Sequence, residues 1–233
     1  MQALILAGGR GERLKPLTND RPKPMIELFG KPILYYQILN LKKQGIQDIV
    51  LSVGYLWKSV FYRFMNGSHL DVRIRYSVEK EPLGTGGAIA AASSLLNGDS
   101  IVLNGDILGD FDFSKPSNGS ILLRTVAVGN ADRYGTVTSD PDGNITCFEE
   151  KKIGMGPKDI NAGCYTLPLK FMRSIPRGVK LSLETDIFQN KTIDLPKMVS
   201  IKHNGFWMDI GTTEDYEKAK AEMHPNLKKF LVS

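Results

Sequence analysis

The residues with the clearest chemical potential lie near the start of the chain, where Leu6-Ala7-Gly8-Gly9-Arg10-Gly11-Glu12-Arg13-Leu14 is followed closely by Pro22-Lys23-Pro24. Glycines let a backbone approach a ligand and adopt angles that a Cβ forbids. Arg13 and Lys23 add fixed positive charge, so the pattern suits the phosphates of a nucleoside triphosphate. Spacing separates it from two familiar phosphate loops. A P-loop needs Gly-Lys-Ser/Thr after its second glycine, whereas Glu12-Arg13 follows Gly11. A dinucleotide fingerprint needs a third glycine where Leu14 stands, and Lys15-Pro16-Leu17-Thr18 is a poor start for the helix that would receive a pyrophosphate.

Two carboxylates extend the pattern. Asp106 follows an apolar run through Asn104-Gly105, and Asp209 follows Gly205-Phe206-Trp207-Met208 and precedes Ile210-Gly211-Thr212. Mg²⁺ usually takes one or two protein carboxylates and completes its shell with water and substrate phosphate oxygens. Either aspartate alone reads more often as a turn former or helix cap. Beside a triphosphate site the pair reads as a Mg²⁺ site.

These groups need a scaffold that brings distant segments together. The first hundred residues alternate strand-like and helix-like patterns: Ala3 to Leu6, Ile33 to Lys43, Asp48 to Val53, Trp57 to Met65, Val72 to Val78, Thr85 to Leu96 and Ser100 to Leu103. Such alternation predicts a mainly parallel sheet with helices on both faces, and ligands of such sheets bind beyond the carboxyl ends of the strands. Leu34, Ile38 and Leu41 share one helix face, and Gly45 sits where a C-terminal cap belongs. From Phe111 the texture shifts to short alternating runs at Ser120 to Val128, Gly135 to Ser139, Ile145 to Phe148 and Gly163 to Leu167, which predicts a smaller, more antiparallel lobe. The expected class is therefore α/β, a Rossmann-like mixed sheet with an antiparallel lobe. Residues 1–110 lie mainly on one side, 111–204 on the other, and 205–233 form a closing strand and helix. Thr213 is the expected N-cap of that helix, over Glu214 to Met223.

At 233 residues the chain can bury a generous core. Lys plus Arg exceed Asp plus Glu by 30 to 25, a formal charge of +5, but the basic residues are scattered, which argues against nucleic acid as a partner. No apolar run reaches the roughly 18 residues that span a bilayer. The chain opens directly on a strand without a signal-like segment, and a cytoplasmic location is expected. Cys147 and Cys164 lack metal-ligand spacing and are expected to be packed, reduced thiols.

Taken together, these motifs resemble the sugar-1-phosphate nucleotidyltransferases, the nucleotide-sugar pyrophosphorylases, along nearly the whole chain. The matching segments include the glycine run through Thr18, Pro22-Lys23-Pro24-Met25, Gly30-Lys31-Pro32-Ile33, Gly54-Tyr55, Pro82-Leu83-Gly84-Thr85-Gly86-Gly87-Ala88 and Asn104-Gly105-Asp106. Phe148-Glu149-Glu150-Lys151, Asn161-Ala162-Gly163 and Trp207-Met208-Asp209-Ile210-Gly211-Thr212 complete the series in the same order. The resemblance implies that an NTP and a sugar 1-phosphate give an NDP-sugar and pyrophosphate. It assigns catalysis to Arg13, Lys23, Asp106 and Asp209, with Mg²⁺ on the two aspartates. Leu6, Ala7, Gly8, Gly9, Gly11, Arg13, Lys23, Glu79, Pro82, Gly84 and Thr85 would meet the nucleotide. Gly135, Glu150, Lys151, Asn161 and Glu184 would meet the sugar phosphate.

Glu79 stands where this family reads the base. Guanine offers adjacent N1–H and N2–H₂ donors that a carboxylate accepts together, whereas uracil and thymine present one N3–H between two carbonyls. GTP is therefore favoured, and the short chain resembles the guanylyltransferases of manno-heptose 1-phosphate and mannose 1-phosphate. A uridylyl- or thymidylyltransferase acting on glucose or N-acetylhexosamine 1-phosphate is the alternative, and a non-catalytic nucleotide-sugar-binding module is an alternative of another class. The partners expected are small molecules, with no membrane. The chain ends without the C-terminal extensions that some members use to assemble, which leaves monomer or homo-oligomer. Trp207 reads as a core anchor for the Asp209 strand, Tyr55 and Trp57 read as packing residues, and the isolated histidines carry no role.

Overall fold

A computed structural model describes residues 1–231; Val232 and Ser233, the end of the 205–233 section, lie outside the described residues. Two compact units emerge, the first from residues 1–82, 103–113 and 205–233, the second from 83–102 and 114–204. Residues 83–102, which pattern groups with the first hundred, thus pack with the second unit.

In the first unit Gln2–Ala7, Asp48–Val53 and Arg73–Val78 form parallel strands, with Leu6 beside Ser52 and Ser52 beside Ser77. Gln2–Ala7 and Asp48–Val53 are apolar because they are buried on both faces, as inner parallel strands require; Leu4, Ile5, Ile49, Val50 and Leu51 are fully enclosed, whereas Arg73–Val78 is the partly exposed edge strand. The connecting helix Ile33–Lys43 buries Leu34, Ile38 and Leu41. Gly45, at φ 77°, donates its amide to Lys42 and ends that helix as expected.

Trp207–Asp209 pairs antiparallel with Ile107–Gly109, and the closing helix follows at Thr213–Leu231. Its cap is Thr212, a correction to the expected Thr213. The backbone N–H of Asp215 donates to Thr212 Oγ1 at 3.2 Å while the Thr212 amide donates to the Asp215 carboxylate at 2.8 Å. This reciprocal box needs an acceptor three residues on, which Asp215 offers Thr212 and Tyr216 cannot offer Thr213. The helix also runs past Pro225, beyond the expected end at Met223. Phe230 is buried there with Leu14, Tyr36 and Met223 in one apolar cluster, and that burial holds the helix together across the proline.

In the second unit Ile121–Val128 pairs antiparallel with Lys158–Leu167 and parallel with Met198–Lys202, while Thr136–Ser139 pairs antiparallel with Ile145–Glu149. The helix Gly84–Ala92 and a π-helix over Leu183–Gln189 complete its functional side. None of the described helices is long and apolar enough to cross a membrane.

Candidate functional site

Leu6 and Ala7 end the first strand and deliver Gly8 and Gly9 beyond it. One step further the rows of the sheet continue: Glu79 donates its amide to Val53 O at 2.8 Å, and Tyr55 donates to Gly8 O at 3.4 Å. Gly8, Gly54 and Glu79 therefore lie side by side, on the same face as Leu6, Ser52 and Ser77. A Cβ on Gly8 would stand 2.7 Å from Glu79 Oε1, and one on Gly54 3.2 Å from Gly8 O. A side chain on Gly8 would displace the Glu79 carboxylate, and one on Gly54 would press on the Gly8 carbonyl. The result is a flat backbone floor with a carboxylate at its edge, and Ser52 Oγ donates to that carboxylate at 2.9 Å. Pro82 is exposed at the end of the same segment.

Gly11 takes φ 69°, a left-handed angle, and a Cβ there would meet Thr18 Cγ2 at 2.9 Å and Lys23 Cβ at 3.0 Å. Thr18 Oγ1 donates to Gly11 O at 2.9 Å. The turn and Lys23 are thus assembled together, and Lys23 Nζ forms an ion pair with Asp106 Oδ2. Gly105 must also lack a side chain, because its amide reaches Leu6 O at 3.0 Å and a Cβ would lie 2.6 Å from that oxygen. Asp209 faces Ile107 across the antiparallel pair, and the Ile210 amide donates to Asp106 O at 2.9 Å. Strand spacing then puts the two aspartates within about 8 Å of one another. Both aspartates belong to the same unit as the glycine turn. Arg13 is exposed and its side chain makes no hydrogen bond or ion pair among the described residues.

The strand carrying Asp209 corrects one expectation. Met208 and Ile210 are buried whereas Trp207 and Asp209 are half-exposed, so the period-two alternation makes Met208 and Ile210 the anchors. Trp207 shares the face of Asp209.

The second unit gathers the other set. Asn161 donates its amide to Gly135 O at 2.8 Å, and Glu150 Oε2 lies 3.0 Å from where a Gly135 Cβ would stand. The Glu150 carboxyl is pushed above its usual range, first by burial and then by the Glu184 charge, with Lys151 opposing. Lys151 Nζ lies 3.7 Å from Glu150 Oε1 and is more than half exposed. Glu184 accepts from Thr85 Oγ1 at 2.6 Å, Ser182 Oγ at 3.0 Å and the Tyr165 hydroxyl at 3.2 Å. Asn161 Nδ2 donates to that same hydroxyl at 2.7 Å. Burial, and then Glu184, push the Tyr165 phenol well above its ordinary range, so it stays protonated.

Gly84 and Thr85 belong to this second set. A Gly84 Cβ would stand 2.5 Å from Leu181 O, and the amides of Gly86 and Gly87 both donate to that carbonyl. The Thr85 hydroxyl accepts from the Leu183 amide while it donates to Glu184. The helix start is therefore engaged by its own unit.

Residues 2–226 match the nucleotidyl transferase family. The chain belongs to this family. The nucleotidyl transferase is 38% identical over 221 residues to the D-glycero-alpha-D-manno-heptose 1-phosphate guanylyltransferase of Campylobacter jejuni, covering 93% of this chain and 97% of that one. It is 33% identical over 231 residues to the mannose-1-phosphate guanylyltransferase of Mycobacterium tuberculosis, covering 96% of this chain but only 64% of that protein's length. Among solved structures, HddC from Yersinia pseudotuberculosis complexed with GMP-PN superposes with TM-score 0.82 at 33% identity, over 95% of this chain and 99% of that one. The likeness to a structure described as a putative glucose-1-phosphate thymidylyltransferase from Bacillus anthracis, at 21% identity and TM-score 0.81, concerns the fold alone.

Three residues of this nucleotidyl transferase escaped the motif reading. Gln37 is buried and its Nε2 donates to both Asn104 O and Ile107 O at 2.8 Å, bracing the turn that carries Asp106. Its signal was a polar side chain within an apolar helix. Ser52 is the one hydroxyl in Ile49-Val50-Leu51-Ser52-Val53, and Tyr165 is visible only as a tyrosine four residues after Asn161. Cys164 is buried, and burial pushes its thiol up to about 12. Cys147 is exposed, a correction to the expectation of two packed thiols. It stands on the Ile145–Glu149 strand, where a register shift between Ile145 and Cys147 accompanies the exposure of both Thr146 and Cys147.

Proposed function

We propose that the chain transfers the guanylyl group of GTP to a manno-configured sugar 1-phosphate, manno-heptose or mannose 1-phosphate, and releases pyrophosphate. The observation that carries this reading is the Glu79 carboxylate at the edge of the Gly8–Gly54 floor, held by Ser52. A carboxylate there accepts both donors of guanine and offers no donor to the carbonyls of a pyrimidine. The names of the guanylyltransferase relatives support the same base and sugars.

The first unit supplies the nucleotide residues: Gly8, Gly9 and Gly11 give the phosphates a close backbone, and Arg13 and Lys23 neutralise them. In the second unit Lys151 grips the phosphate of the sugar, and Gly135, Glu150, Asn161 and Glu184 meet its hydroxyls. A sugar 1-phosphate loses its second proton near pH ~6, so the attacking oxygen is already charged at neutral pH and no general base is needed. That oxygen bonds to the α-phosphorus of GTP while the bond from the α-phosphorus to the bridging oxygen of the β-phosphate breaks. The electron pair leaves with pyrophosphate. Positioning and cationic charge lower the barrier between these polyanions.

Mg²⁺ fits Asp106 and Asp209. Two carboxylates are the number that this ion takes when phosphates and water complete its shell, and the pairing of Trp207–Asp209 with Ile107–Gly109 brings the two backbones together. Bound there, Mg²⁺ supplies positive charge to the nucleotide phosphates. A reaction that draws on GTP suits the cytoplasm, as do two free cysteines.

The deciding experiment offers purified protein GTP, ATP, UTP and dTTP, each with manno-heptose, mannose, glucose and N-acetylhexosamine 1-phosphates, and measures pyrophosphate. GTP with a manno-configured acceptor is expected to give the highest kcat/KM. Faster consumption of UTP or dTTP with every acceptor would overturn the reading.

A further inference from the structure

We infer that Ser52 is a positioning residue for base selection, setting the rotamer of the Glu79 carboxylate so that both donors of guanine are read at once. The inference rests on the guanine reading above and deepens it. Ser52 is fully buried between two parallel strands, in a strand that is otherwise apolar on either side of it. A hydroxyl in such a place is costly unless it is hydrogen-bonded. Its donation goes to Glu79 Oε1, 2.9 Å away, across the neighbouring strand.

The surroundings make this bond an aiming device. Glu79 leaves the strand with its backbone fixed by Val53 O, and its side chain lies over Gly8, where even a methyl group would stand 2.7 Å from Oε1. Gly8 removes the steric stop on that side, and Ser52 replaces it with a directional one. Each carboxylate oxygen has two lone-pair positions, so Oε1 accepts from Ser52 and still offers a position to a base donor. Without the hydroxyl Oε1 loses one of the donors that fix it, on a last torsion that is broad and roughly two-fold, and the two parallel bonds to N1–H and N2–H₂ are held less closely in one plane. Inosine triphosphate, which lacks the 2-amino group, probes that plane directly.

The test compares kcat/KM for GTP and for inosine triphosphate in the wild type, Ser52→Ala and Ser52→Thr, with thermal melting as a check on folding. The wild type is expected to prefer GTP by about tenfold or more, the order of one hydrogen bond to a charged acceptor. Ser52→Ala is expected to lose most of that preference through a raised KM for GTP. Its turnover at saturating GTP and its KM for the sugar phosphate should stay close to wild type. Ser52→Thr, which keeps the hydroxyl, should restore the preference. An unchanged GTP-to-inosine ratio in folded Ser52→Ala overturns the inference, as does a loss in which the sugar-phosphate KM rises equally. If the wild type instead prefers UTP or dTTP over GTP, the guanine reading fails and the role of Ser52 falls with it.

Discussion

Lys23→Ala separates the ion pair that Lys23 makes from the phosphate-neutralising role proposed for it. Its ammonium pairs with Asp106, and the side chains of the pair are 12% and 27% exposed. An exposed ion pair is worth about 0–1 kcal/mol, whereas breaking a buried one costs about 3–5 kcal/mol. The intermediate exposure places the loss at about 2 kcal/mol. For a chain of this size that lowers Tm by about 4–8 °C, at roughly 2–4 °C per kcal/mol. The catalytic loss should be larger. Removing a cation aimed at charge that grows in the transition state costs about 10²-fold in turnover, or about 2.7 kcal/mol. The assay is steady-state pyrophosphate release with GTP and mannose 1-phosphate, run well below both melting temperatures so that folding does not limit it. Asp106→Asn breaks the same ion pair and provides a comparison for the melting shift. Near-normal turnover in folded Lys23→Ala would refute the reasoning that places this charge on the nucleotide phosphates.

Other consequences are open to simple measurements. Thiol labelling should modify Cys147 alone in the native protein and Cys164 only after unfolding, since Cys147 is exposed and burial holds the Cys164 thiol near 12; equal labelling of both would contradict the packing. Glu150 has a carboxyl pKa raised from 4.5 on folding, so the folded state holds its proton more tightly and the ionised group costs stability above the folded pKa. Glu150→Gln should therefore raise Tm at pH 7, with the gain shrinking as pH falls through the folded value and gone below 4.5; a gain independent of pH would show that the carboxyl charge is not its cause. Thr212→Ala removes one half of the reciprocal cap and should cost about 1 kcal/mol, read as a lower midpoint in urea; an unchanged midpoint would remove the cap from the account.

Much of the scaffold was legible because its patterns are local. The helix at Ile33–Lys43 and the strand at Asp48–Val53 follow from periodicity, and the Gly45 cap follows from its lack of a Cβ. Asp106 and Asp209 could be singled out by their places after apolar runs, but only the pairing of Trp207–Asp209 with Ile107–Gly109 brings their backbones together. What pattern missed depends on partners distant in sequence. Trp207 looked like an anchor because tryptophan is large, yet Met208 and Ile210 take the inward positions. The role of Ser52 depends on Glu79, 27 positions away, and that of Tyr165 on Glu184, 19 positions away. The π-helix at Leu183–Gln189 is set by contacts that no local period encodes, including the Thr85 hydroxyl against the Leu183 amide. Thr212 was within reach, because Asp215 three residues on marks the box.

The central claim is that the glycine turn, Lys23 and the two aspartates together transfer a nucleotide to a sugar phosphate. Its most direct test is pyrophosphate release from GTP and manno-heptose 1-phosphate, measured with Mg²⁺, with a chelator, and in Asp209→Asn. The account predicts release that requires both the metal and the sugar phosphate and falls about 10²-fold in the variant. Release that is indifferent to the sugar phosphate, or undiminished in Asp209→Asn, would contradict it.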